Sequence, residues 1–262
     1  MRTREFDYSA FYLHGGPGLS AIPEREAHGD AIGIFWWDQP RPTPGDVHPY
    51  AALIDAAETE FIGKAANNGG SLTLIANSFG ANLALHLAHR IPGKISAVLL
   101  LAPVHDLGLG FTGFARCIAQ SSEQRASLLA AAQAYEAAPE DRVRFWELVT
   151  AIVTAPRFSD HYWSPTATRL QMWFADLLAN PAVFDFAAFQ AITEDFLATP
   201  RLAVPSRFSG PVSIVLGKHD PLNDPATASR IWTEQFPQAE VCIVDAGHLM
   251  HLELPVQEWL RQ

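Results

Sequence analysis

Six short apolar runs, most of them stopping at or next to Gly, Pro, Asp or Asn, limit what this chain can fold into more than any other feature. They are Ala10 to Leu13, Ala31 to Trp37 (AIGIFWW), Ser71 to Ala76 (SLTLIA), Ala97 to Ala102 (AVLLLA), Val212 to Leu216 (VSIVL) and Val241 to Val244 (VCIV). Each is apolar at successive rather than alternate positions, as strands covered by helices on both faces are. Helical spacing lies between them. Leu53, Ile54, Ala57, Phe61, Ile62 and Ala65 form one apolar stripe, and Phe79 to Arg90 forms another through Leu83, Leu87 and Ala88 before Pro92-Gly93 ends it. Strands alternating with helices predict an α/β fold whose mostly parallel sheet of about six strands has helices on both faces.

Residues 107–205 break this rhythm. Helix starts are expected at Pro139 before Glu140-Asp141, at Ser164-Pro165 and at Asn180-Pro181, each with proline in the first turn. Trp146, Val149 and Val153 are spaced for one face, as are Phe184, Ala188 and Ile192. The stretch reads as an inserted helical cap, 107–205, on a core made of 1–106 and 206–262. With 48 % hydrophobic residues in 262, such a core can be buried.

The chemistry sits where the strands end. Ser71 to Ala84 (SLTLIANSFGANLA) is a strand, a small-x-Ser-x-Gly turn and a helix. Small residues permit the sharp turn, which projects the Ser78 oxygen above the sheet on a strained backbone. His14-Gly15-Gly16-Pro17-Gly18 follows the first strand, where a second oxyanion donor is expected. The backbone N–H groups of Gly16 and Phe79 are therefore the candidate oxyanion donors. Asp220 follows the fifth strand in GKHD, and His248 follows the sixth in AGH. Serine, acid, histidine in that chain order predicts Ser78 as nucleophile, His248 as general base and Asp220 as the acid behind it. Asp224 and Asp106 are alternative acids, and His251 is the rival base. Asp38 is expected to order the loop beside the oxyanion donors.

A net charge of −10 argues against nucleic acid as a partner. The first nine residues, MRTREFDYS, lack an apolar leader, and no run of eighteen apolar residues occurs, so a cytoplasmic protein with no membrane partner is expected. Cys117 and Cys242 suit neither a disulfide framework nor a metal cluster and read as small buried residues. His86 and His89, lacking companions at ligand spacing, read as surface or packing residues. No cofactor and no metal are called for.

HGGPG, WDQP, the ANSFG elbow, GKHD and AGH together resemble the proline iminopeptidase branch of the α/β-hydrolases, over about 1–105 and 206–262. The resemblance implies the α/β-hydrolase fold. It also implies cap glutamates that hold a substrate amine: Trp146-Glu147 matches the family's Trp-Glu pair, and the second glutamate falls near Gln171. The chain departs from the branch at Pro40-Arg41-Pro42, where an arginine and a glycine usually follow Asp-Gln. The leading expectation is hydrolysis of an ester, thioester or amide through an acyl-enzyme, on a small molecule or short peptide entering a mostly apolar pocket. Carbon–carbon bond hydrolysis, acyl transfer to an acceptor other than water, and non-catalytic binding on the same fold are the alternatives.

Overall fold

The computed structural model describes residues 9–29, 33–43 and 45–259. Along the chain run β1 (Ala10–Leu13), α1 (Ile22–His28), β2 (Ile34–Trp37), α2 (Pro49–Ala66), β3 (Leu72–Asn77), α3 (Gly80–Arg90) and β4 (Ile95–Leu101). Five helices follow: α4 (Leu107–Ile118), α5 (Arg125–Ala137), α6 (Arg142–Val153), α7 (Thr168–Leu178) and α8 (Phe186–Ala198). Then come β5 (Val212–Gly217), α9 (Pro225–Gln235), β6 (Glu240–Val244), α10 (Met250–Glu253) and α11 (Val256–Trp259). Residues 31 and 32 of the expected second strand, and 1–8 of the segment read as lacking a leader, lie outside the described residues.

The strands form one six-stranded sheet in the order β2-β1-β3-β4-β5-β6, every neighbouring pair parallel. This is the α/β architecture the alternation predicts. Side chains alternate across the sheet. Phe11 and Leu13 of β1 join a core with Leu53, Ile54 and Phe61 of α2, Leu83 and Leu87 of α3, and Trp232 of α9. Ala10 and Tyr12 turn to the opposite core, with Trp36, Met250 and Trp259. Fully burying one such large side chain stabilises by roughly 1.5–3 kcal/mol. β6 departs from the expectation of strands covered on both faces. It is an edge strand, with Val241 37 % and Ile243 58 % exposed.

Between β4 and β5 the described residues contain helices, a 3-10 turn at Phe158–Tyr162 and no strand of the sheet. The three expected helix starts are displaced. Asp141, not Pro139, caps α6 by accepting from the N–H groups of Val143 and Arg144. Asp185 caps α8 by accepting from Ala188 N–H, which leaves Pro181 and Phe184 outside that helix. α7 begins at Thr168, beyond Pro165. The fixed φ of proline suits a preceding turn as well as a first helical turn, and the aspartates satisfy free N–H groups that proline cannot. Of the expected faces, Val149 is buried while Val153 is 41 % exposed.

Cys117 and Cys242 are half-buried rather than buried. No helix among the described residues is long and apolar enough to cross a membrane.

Candidate active site

β3 runs buried to Asn77, and the chain then turns sharply into α3 with Ser78 at φ 51°. That left-handed conformation is rare and costly for a residue with a Cβ. The surroundings hold it. Ser78 N–H donates to Leu101 O at 3.0 Å, and Ser78 O accepts from Val104 N–H at 3.2 Å. Asn77 Nδ2 donates to Leu101 O at 3.0 Å. The turn also needs Gly80, because a Cβ there would stand 2.4 Å from Leu13 O.

His248 lies between Ser78 and Asp220. Its Nε2 is 2.8 Å from Ser78 Oγ and its Nδ1 is 2.8 Å from Asp220 Oδ2. A carboxylate only accepts, so Nδ1 carries the proton and Nε2 is left to accept from the serine hydroxyl. All three residues are buried, with at most 8 % of any exposed. Asp220 has further donors: Asn223 Nδ2 at 2.8 Å on Oδ2, and Leu222 N–H at 2.8 Å on Oδ1. The rivals are placed elsewhere. Asp224 caps α9 through Thr227 N–H, and Asp106 caps α4 through Leu109 N–H. His251 sits on α10 with Nε2 3.1 Å from Glu24 Oε1.

The glycine loop after β1 lies directly against the serine: a Cβ on Gly15 would be 2.9 Å from Ser78 Cβ. His14 shapes this loop. Gln39 N–H donates to His14 Nε2 at 3.2 Å, so Nδ1 carries the proton and donates to Gly15 O at 2.8 Å. Burial lowers the His14 pKa, which favours that neutral form. Gln39 Nε2 also donates to His14 O at 3.0 Å. Asp38 anchors the far side of the loop, accepting from Ala21 N–H at 2.8 Å and pairing with Arg25 at 2.8 Å. Gly16, at φ 56°, and Phe79, the residue before α3, have no protein acceptor for their N–H groups among the described residues. Their amides stay free beside Ser78, an arrangement that can hold an anionic oxygen.

A cavity of about 640 Å³ opens over Ser78 and His248. Its walls are largely apolar, with Leu107, Phe111, Val149, Phe174, Phe184 and Phe189 among them. Tyr162 lines it too, its ring centroid 5.8 Å from that of His248. The helical segment grips the loops beneath it. Tyr162 O accepts from His248 N–H at 2.7 Å. Glu253 Oε1 accepts from both Gly247 N–H, at 2.9 Å, and Ser164 N–H, at 3.0 Å. On the other side, Leu19 pairs with Phe184 in an antiparallel bridge, and Asp185 N–H donates to Gly18 O at 2.8 Å.

The residues carried over from the family's amine site are not part of this cavity. Glu147 is exposed on the outer side of α6 and lines a separate open depression with Trp146 and Thr150. The inner side of that helix is taken by Val149 and Ile152. Trp146 Nε1 donates to Glu194 Oε1. Gln171 Nε2 reaches Asp160 O at 3.4 Å. No group of three or more His, Cys, Asp or Glu side chains among the described residues is placed to hold a metal ion.

Sequence reasoning passed over Asn223, Tyr162 and Glu24. Asn223 was visible in GKHDPLND three residues after the acid, but nothing in that spacing marks it as a partner of Asp220. Tyr162 lies where helical periodicity was the one legible signal, and its turn has no signature.

The family model of the α/β hydrolase fold matches residues 13–255. No curated protein matches the chain. Among solved structures, a proline iminopeptidase-related protein from Thermus thermophilus aligns with a TM-score of 0.63 at 24 % identity, over 97 % of this chain and 86 % of that one. A proline iminopeptidase from Mycobacterium smegmatis gives 0.60 at 19 %, over 99 % and 89 %. An epoxide hydrolase variant from Bacillus megaterium gives 0.55 at 17 %, over 97 % and 93 %. At these identities the likeness is one of fold.

Proposed function

Because the chain belongs to the α/β-hydrolase family, we propose that it is a serine hydrolase cleaving an ester, thioester or amide of a small, mostly apolar substrate. The observation that carries the reading is the buried hydrogen-bonded series Ser78–His248–Asp220, starting at a serine held in a left-handed turn.

Ser78 Oγ attacks the substrate carbonyl as His248 Nε2 takes its proton. Asp220 keeps the imidazole in the required tautomer and stabilises the imidazolium that forms. The N–H groups of Gly16 and Phe79 receive the carbonyl oxygen as it becomes anionic, and losing one such donor costs about 3 kcal/mol of barrier. The leaving group departs with the proton from His248, and an acyl group remains on Ser78. Water then attacks that ester while His248 serves again as base, releasing the acid and restoring the serine. The mostly apolar cavity supports an apolar acyl or leaving group. Glu147, outside that cavity, gives an aminopeptidase reading no support.

A fluorophosphonate probe should label Ser78, and Ser78→Ala should remove both the label and about 10⁶-fold of turnover on a nitrophenyl ester. Equal labelling of the alanine variant would sink the assignment. Cleavage of a dienone in place of esters would move the reaction to carbon–carbon bond hydrolysis, and product formation only with an added alcohol or thiol would move it to acyl transfer.

A further inference from the structure

β4 lies between β3, which leads to Ser78, and β5, which leads to the loop carrying Asp220. Successive carbonyls at the end of a strand turn to opposite neighbours. Here both are taken by the site. Leu101 O accepts from Ser78 N–H and from Asn77 Nδ2, each at 3.0 Å. Ala102 O, the next carbonyl, accepts from Asn223 Nδ2 at 3.2 Å, and the same nitrogen donates to Asp220 Oδ2 at 2.8 Å. Two consecutive residues thus hold the nucleophile's turn on one side and the acid's loop on the other.

Both ends of this link are fixed. Ala102 is fully buried and left-handed, at φ 45°, with its N–H on Val215 O at 2.8 Å. That conformation is costly for a residue with a Cβ and persists only where the surroundings impose it. Asn223 is 8 % exposed. Its two partners can only accept, so the amide nitrogen faces them and both its hydrogens are used. Asp220 Oδ2 in turn takes two donors, Asn223 Nδ2 and His248 Nδ1. Packing covers the loop only in part. α4 approaches its backbone closely, since a Cβ on Gly113 would stand 2.6 Å from Pro221 O. Elsewhere Asp220, Pro221 and Asn223 border a cleft of about 410 Å³ between α4 and α9.

We propose that Asn223 is a positioning residue. It ties the Asp220 carboxylate to the end of β4, which also holds the Ser78 turn, and so fixes where His248 stands between the two. This rests on the proposed roles of Ser78, His248 and Asp220. Without the tie, Asp220 keeps His248 and the Leu222 amide but loses its side-chain link to the sheet. His248 serves as base in forming the acyl-enzyme and again in its hydrolysis, so a misplaced imidazole slows both steps.

Asn223→Leu keeps the branched outline of the side chain and removes both hydrogen bonds. On a nitrophenyl ester kcat should fall about 10–100-fold with KM within about twofold, as for catalytic groups that are intact but displaced. The Nδ1 proton of His248, held between ring and carboxylate, should give a far-downfield proton NMR resonance in the wild-type protein, and that signal should broaden or vanish in the variant. Asn223→Ser has one hydroxyl hydrogen and cannot serve both acceptors. It should lie between wild type and Asn223→Leu, and it carries the test if the leucine variant does not fold. Asp224→Ala, which removes the cap of α9 one residue on, gives the pattern of a purely structural loss: a lower urea midpoint with kcat and the resonance unchanged. Asn223 variants that show that pattern would overturn the proposal, as would a wild-type protein lacking the resonance. A resonance that Asn223→Leu abolishes, in a protein that neither hydrolyses esters nor takes a fluorophosphonate label, would uphold the tie and overturn the hydrolase reading instead.

Discussion

Asp220 accepts from His248, Asn223 and the Leu222 amide, while Asp224 and Asp106 each cap a helix. These side chains carry the same charge and do different work, so substitution should tell them apart. Asp220→Asn should lower kcat by about 10⁴-fold, because the amide favours the wrong imidazole tautomer. Asp224→Ala should leave kcat intact and cost about 1 kcal/mol of stability, as lost N-caps do. Steady-state kinetics and urea unfolding on the same samples check both. Spacing after a strand leaves three candidate acids, and of these Asp220 is the one whose carboxylate meets His248. The same limit explains Glu147. A 3.6-residue period says that Trp146, Val149 and Val153 share a face, but which side of α6 meets the cavity depends on how α4, α5 and α8 pack around it, and no local pattern encodes that.

At the level of elements, the strands were legible because burial on both sides leaves unbroken apolar runs, and their observed ends differ by only a few residues. The edge strand β6 was legible as a strand but not as an edge, since Val241 and Ile243 are as apolar as covered residues. Helix starts between β4 and β5 were misplaced because proline is ambiguous between turn and first helical turn. The contact between that helical segment and the glycine loop had no sequence signal, yet it is tight. Gly18 sits at φ 80°, and a Cβ there would stand 2.4 Å from Asp185 O and 2.7 Å from Phe189 N. Gly18→Ala should therefore destabilise the protein by about 2–4 kcal/mol, combining a left-handed residue with overpacking. Gly93→Ala, where an added Cβ meets nothing within 4 Å, should be nearly neutral. Urea midpoints of the two variants test the contrast.

Across the whole molecule, several imidazoles are held away from protonation. Burial lowers the pKa of His14, His28, His105 and His161. His86, against the Tyr50 ring, is lowered to about 4, by burial first and then by the charges of Arg90 and His89. Below about pH 6.5 the unfolded chain takes up protons that these folded sites refuse, so the unfolded state binds more of them. Stability is then complete above that pH and is lost as the pH falls toward about 4, the value for His86. Urea midpoints measured from roughly pH 7.5 down to roughly pH 4.5 should fall with acid, and His86→Gln should make the slope shallower by up to about one proton's worth. An unchanged slope would remove His86 from the set. The segment between β4 and β5 is clipped at two points, to Gly18 and Leu19 on one side and to His248 and, through Glu253, Gly247 on the other. A chimera that grafts another enzyme's roof onto this base would thus inherit a mismatch at both seams unless it also imported the matching stretches around Gly18 and Gly247. Swapping specificity here is a job for single side chains inside the chamber, not for exchange of whole modules.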